Sequence, residues 1–136
     1  MRSWILVFCL LAATACDEKG PVGPSVPLNQ RVTLAPGETA SVEDTAVRVQ
    51  FVRVASDSRC PADAICVWAG DAIVQIRAFD GGAPADYELH TGDASRKATL
   101  HGRLRIELLE LQPYPFASRP PTTHDQYRAT LRVTRP

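Results

Sequence analysis

Apolar side chains recur at every second position through most of the chain beyond residue 30, and that period admits strands while excluding long helices. Val32 and Leu34, Ala40 and Val42, Val47, Val49 and Phe51, and Val74, Ile76 and Ala78 mark one face each. Tyr87 and Leu89, Leu104, Ile106 and Leu108, and Tyr127, Ala129, Leu131 and Val133 continue the pattern. Between them stand Arg48, Gln50, Gln75, Arg77, Glu88, Arg105, Glu107, Arg128, Thr130 and Arg132, so each strand has a dry face and a wet one. The prolines and glycines fall between these runs, and Pro36-Gly37, Gly81-Gly82, Thr91-Gly92-Asp93 and His101-Gly102 supply the turns. About seven to nine short antiparallel strands follow, which predicts an all-β antiparallel sandwich of immunoglobulin-like type, with a small β-barrel as second choice. The alternation slips by one at Phe51/Val52 and at Leu108/Leu109, and each slip predicts a β-bulge. Fifteen basic against fifteen acidic side chains, with 45% apolar residues, argue against a disordered chain, a nucleic-acid binder and a multi-span membrane protein.

The first residues have a different character. Arg2 precedes an almost unbroken apolar run from Trp4 to Ala15. As a helix that run spans roughly 18 Å, well short of the ~30 Å hydrocarbon core, so it reads as an export signal rather than a permanent span. Ala13, Thr14, Ala15 and Cys16 resemble the lipobox of bacterial lipoproteins, with Ala13 where that family most often has leucine. The resemblance implies removal of residues 1–15 and a diacylglyceryl group on Cys16, and hence a chain held to a bacterial membrane and facing the periplasm or exterior. An ordinary signal peptidase could also use Ala-Thr-Ala. Cysteine count separates the two, because removing Cys9 leaves Cys16, Cys60 and Cys66, and lipidation of Cys16 leaves one pair instead of an odd thiol. Each buried methylene of such an anchor contributes about 0.8 kcal/mol. Asp17 resembles the residue that retains enterobacterial lipoproteins in the inner membrane; other bacteria sort differently, which leaves the choice of membrane open.

Residues 16–30 hold three prolines, two glycines and no apolar period, and read as a lipidated cysteine followed by a flexible tether of up to roughly 40 Å. The folded unit is then 31–136.

One segment departs from the strand pattern: Asp57-Ser58-Arg59-Cys60-Pro61-Ala62-Asp63-Ala64-Ile65-Cys66-Val67-Trp68-Ala69-Gly70. In an exported chain Cys60 and Cys66 have only each other, so a disulfide is expected, worth roughly 2.4 kcal/mol of loop entropy and acting on local geometry. If Cys66 and Trp68 share a strand face, the indole packs over the bridge and the segment is a structural corner. On the other reading it is a recognition loop that presents Asp57, Ser58, Arg59 and Asp63, with Trp68, to a partner. Redox chemistry fits poorly, since the cysteines lack the two-residue gap of thioredoxin-like motifs. The segment resembles a "DSRCP, four residues, CVWAG" motif of small exported bacterial proteins, many of them lipoproteins of unassigned function; this implies location and fold rather than activity.

A second candidate is the proline-rich run from Gln112 to His124, long for a loop in a compact domain. Tyr114, Phe116 and Arg119 are residue types that anchor interfaces, and the alternative is that the two rings fold back to cap the sandwich. Residues 103–136 carry six arginines and three acids. If their strands are neighbours, Arg103, Arg105, Arg128 and Arg132 form either a basic strip for anionic lipid, polysaccharide or an acidic partner, or an ordinary solvated face. His90, His101 and His124 are far apart and are expected at the surface; with no zinc spacing, EF-hand loop, phosphate loop or nucleophile elbow, neither metal, cofactor nor catalytic residues are assigned. The sequence therefore points to a membrane-anchored, non-enzymatic interaction or structural module with an envelope protein or polysaccharide as partner. The alternative is an inhibitor or accessory subunit of a cell-envelope hydrolase.

Overall fold

A computed structural model describes residues 23–136. The signal segment, the lipobox and Cys16 lie outside the described residues. Among the described residues nine strands form: β1 (Ser25–Val26), β2 (Arg31–Leu34), β3 (Thr39–Val42), β4 (Arg48–Asp57), β5 (Ala72–Phe79), β6 (Ala85–His90), β7 (Ala98–His101), β8 (Leu104–Gln112) and β9 (Arg128–Thr134). They build two sheets, in the orders β1-β3-β4-β5-β6 and β2-β9-β8-β7, and all pairs are antiparallel except β1 with β3. The expected sandwich is thus what the chain adopts, and it is not closed into a barrel. Each sheet is largely a meander, and the chain changes sheet between β1 and β2, between β2 and β3 and again between β6 and β7.

The core lies between the sheets and is made of the residues the alternation selects. Phe51, Leu34, Ile76, Leu89, Ile106, Leu108 and Leu131 have almost no contact with solvent, and each contributes about 1.5–3 kcal/mol by leaving water. Tyr87 is the exception, half-buried because its hydroxyl reaches His101 across the open edge between β6 and β7. Both expected bulges are present, at Phe51/Arg53 and at Leu108/Glu110, and β4 has a further one at Val54/Ser56. An extra residue bends and twists its strand.

The folded unit begins earlier than residue 31. Ser25 and Val26 pair alongside Ser41 and Val42, Val26 is buried, Leu28 packs against the core and the Asn29 amide donates to Val133 at 2.8 Å. Two isolated apolar side chains and a few backbone bonds suffice to dock this stretch, and neither leaves a period in the sequence. Gly23 is pressed so close to β3 that a Cβ there would stand 1.7 Å from the Thr39 carbonyl oxygen.

The long connections gather at one pole. The segment from Ser58 to Asp71 joins β4 to β5, the run from Pro113 to Tyr127 joins β8 to β9, and residues 91–97 join β6 to β7. The opposite pole has only short turns. Replacement of Phe51 by alanine removes the largest fully buried side chain, and the expected cost is about 3–5 kcal/mol, read from denaturant unfolding.

Candidate functional site

Cys60 and Cys66 are joined, with their Cα atoms 5.9 Å apart. The residues between β4 and β5 run as turns and bends, so the alternate-face rule that would set Trp68 over the bridge does not apply to them. Trp68 is 82% exposed, and Ile65 and Val67 are more exposed still. The expected packing of Trp68 over the bridge is therefore corrected: its indole stands in solvent, and the loop turns its large apolar side chains outward.

The base of the loop is built from polar groups turned inward. Arg59 is only 8% exposed. Its Nε donates to Asp57 Oδ1 at 2.8 Å and its Nη2 to Asp57 Oδ2 at 2.6 Å. Nη1 donates to the Leu111 carbonyl at 2.7 Å, Nη2 also donates to the Pro113 carbonyl at 2.9 Å, and the guanidinium carbon lies 5.0 Å from the centre of the Tyr114 ring. Tyr127 donates its hydroxyl to Asp57 Oδ2 at 3.0 Å. Burial pushes the Asp57 carboxyl upward, but the bonds from Arg59 and Tyr127 outweigh it and hold the group below its ordinary value. Sequence reasoning offered Asp57 and Arg59 to a partner; the structure engages both with this protein's own strands.

Asp63 has the same fate higher in the loop. Its carboxylate accepts from the Ala117 amide at 2.6 Å and the Ser118 amide at 3.0 Å, while the Ala62 amide donates to Pro115 at 2.9 Å. Bonds from Ser118 and Ala117 bring Asp63 down to about 2. Ser58 closes the neck through its hydroxyl, which donates to the Asp71 carbonyl at 2.9 Å. Gly70 ends the segment at φ +72°, where a Cβ would lie 1.8 Å from the Ser58 carbonyl oxygen, so this position requires glycine.

The two candidates of the sequence are thus one site. Asp57, Arg59, Asp63 and Tyr114 converge, as do the motif segment and the proline-rich run. Tyr114 keeps 43% of its surface exposed, and Phe116 lies beneath Arg119, whose guanidinium carbon is 4.2 Å from the ring centre. The rings are therefore partly covered by cations rather than folded into the core. Gln112, Pro113, Tyr114, Phe116, Arg119 and Pro121 help line an open groove of about 620 Å³.

Two histidines expected at the surface are buried. His90 is 4% exposed, with Nδ1 2.5 Å from Asp71 Oδ2, and His101 is 7% exposed, with Nδ1 3.0 Å from the Tyr87 hydroxyl. Each ends an edge strand and turns inward, which no local sequence signal marks. Burial pushes Asp71 upward, and the Gly92 amide and His90 more than offset it, leaving its pKa lowered. On the outer face of β2-β9-β8, Arg31 pairs with Arg132 and Arg132 with Glu107, to which it donates at 2.8 Å; Arg105 faces Thr134. Arg105 on β8 and Arg128 and Arg132 on β9 do lie on neighbouring strands, but Arg103 lies in the turn before β8, Arg105 and Arg128 sit at opposite ends of the strand pair, and Glu107 stands against Arg132. Among the described residues no three His, Cys, Asp or Glu side chains gather as metal ligands.

No protein-family model, curated protein or solved structure matches the chain.

Replacing Arg59 with methionine strands the Asp57 carboxylate and two carbonyls in a buried site, and the expected loss is about 3 kcal/mol in denaturant unfolding. A depressed carboxyl contributes above its ordinary value and loses its contribution as pH falls through the depressed one. The Ala117 and Ser118 amide resonances should accordingly hold their positions as pH is lowered past 3.8 and move with a midpoint near 2. A midpoint at the ordinary value would show that Asp63 does not clamp the proline-rich loop.

Proposed function

We propose that this chain is an exported, lipid-anchored, non-enzymatic interaction module that works through the stapled loop. The lipobox-like Ala13–Cys16 supports the anchor, and a disulfide between Cys60 and Cys66 suits a compartment outside the reducing cytoplasm. The observation that carries the interaction reading is the outward display of Ile65, Val67 and Trp68 on a loop whose charged side chains bond to other groups of this chain. Solvation alone disfavours such a display. Held by a disulfide, an ion pair and a carboxylate clamp, the loop has little conformational freedom left to lose when it meets a partner. Asp57, Arg59 and Asp63 hold the loop in shape.

Mass spectrometry of the mature chain is expected to find an amino-terminal peptide that starts at an acylated Cys16; an unmodified amino terminus, or retention of residues 1–15, contradicts the anchor. Trp68→Ala is expected to change unfolding stability by no more than about 0.5 kcal/mol, as an exposed side chain should. A photo-crosslinking residue at position 68 is expected to form adducts with envelope components in growing cells, and one at position 82, in the turn at the opposite pole, is not. Equal labelling at both positions contradicts a role for the loop.

A further inference from the structure

Strand β1 fixes the direction from which the chain enters the domain. Walking backward from Val26 to Gly23, the backbone passes from Val42 to Thr39, because Ser25 and Val26 lie parallel to Ser41 and Val42 and Gly23 rests against Thr39. Thr39 pairs with Gln50, and Ser41 with Arg48, so the same walk climbs β4 toward Asp57 and the stapled loop. At Gly23 the described chain, followed backward, is therefore heading toward the pole that carries the loop. From Gln50 to Asp57 the two bulges of β4 shorten the climb to the five steps from Arg77 to Ala72 on β5, about 17 Å at 3.3 Å per residue. The stretch from Cys16 to Gly23 reaches at most about 25 Å when fully extended. Docking of residues 23–30 on the sandwich has removed the longer reach that a free tether would have given.

That pole also concentrates the apolar surface. Five large apolar residues are exposed among the described ones, and four of them, Ile65, Val67, Trp68 and Tyr114, belong to its two long loops. The only charged side chain from Pro61 to Ala69 is Asp63, whose carboxylate already accepts two amide bonds. Close to it, Arg119 stands over Phe116 and makes no ion pair among the described residues. A tryptophan flanked by aliphatic side chains, with an arginine nearby, is the chemistry of a membrane interface, where the ring sits at headgroup depth and the cation meets phosphate.

We infer that the partner of the stapled loop is the lipid surface to which Cys16 is attached, with Ile65, Val67 and Trp68 entering the interface and Arg119 meeting headgroup phosphate. The inference rests on the lipid anchor proposed above. It makes the domain lie with this pole against the bilayer instead of swinging on its tether, and leaves the outer sheet faces free.

The mature chain offers its own probe, since loss of residues 1–15 removes Trp4 and leaves Trp68 as the only tryptophan. Purified mature protein would be incorporated into phosphatidylethanolamine–phosphatidylglycerol vesicles with brominated acyl chains, floated on a gradient, and read by Trp68 emission. Flotation with a blue-shifted emission, quenched by the brominated chains and shielded from acrylamide, is the expected result. Flotation with an unquenched, acrylamide-accessible Trp68 overturns the inference and leaves the anchor standing. Flotation with Trp68 shielded from both quenchers also overturns it, because a second copy of the chain then covers the loop. Failure to float refutes the anchor, and the inference with it.

Discussion

The guanidinium of Arg59 sits between the Asp57 carboxylate, the carbonyls of Leu111 and Pro113, and the Tyr114 ring, and through it the two long loops of the domain become one structure. Asp57 closes β4 and Leu111 lies near the end of β8, in the other sheet, so the pair fastens the sandwich at one pole. A buried ion pair of this kind need not be more stabilising than apolar residues of the same volume. Its effect lies in direction: it fixes where the chain leaves β4, and everything from Cys60 to Gly70 is placed by that exit.

The remaining restraints then act in sequence along the loop. Ser58 and Gly70 close its neck, the disulfide limits the span between Cys60 and Cys66, and Asp63 ties its far side to Ala117 and Ser118. All these polar contacts are made within the chain. The consequence is a division of labour in which charged and hydroxyl groups provide the frame, and Ile65, Val67 and Trp68 provide the outer surface. Folding pays for this arrangement with three hydrated apolar side chains, and a surface that meets the loop recovers that cost.

Much of the fold was legible in the sequence because strands leave a period that a reader can count. Val74, Ile76 and Ala78 alternate and are buried; Phe51/Val52 and Leu108/Leu109 slip and become bulges. The pole was less legible, for a physical reason. Arg59 and Asp63 bond to main-chain groups more than fifty residues away, and a backbone carbonyl or amide has no letter of its own. Strand β1 escaped notice because Val26 and Leu28 are two single apolar residues among prolines, too few to form a pattern. The alternate-face rule holds for strands, and Trp68 lies in a stretch of turns and bends where it sets no orientation. His90 and His101 were misplaced because inward orientation at a strand end depends on a partner, Asp71 or Tyr87, that only the folded sheet supplies.

What distinguishes this reading from a plain surface loop is stiffness at an exposed tip, and backbone nitrogen-15 relaxation measures it at the residues concerned. Amide order parameters at Ile65, Val67 and Trp68 close to about 0.85, the level of rigid backbone, are expected from a loop held by Arg59, Asp63 and the disulfide. Values below about 0.6 there, with β4 and β5 remaining rigid, would show that the restraints do not reach the tip and that no fixed surface is presented.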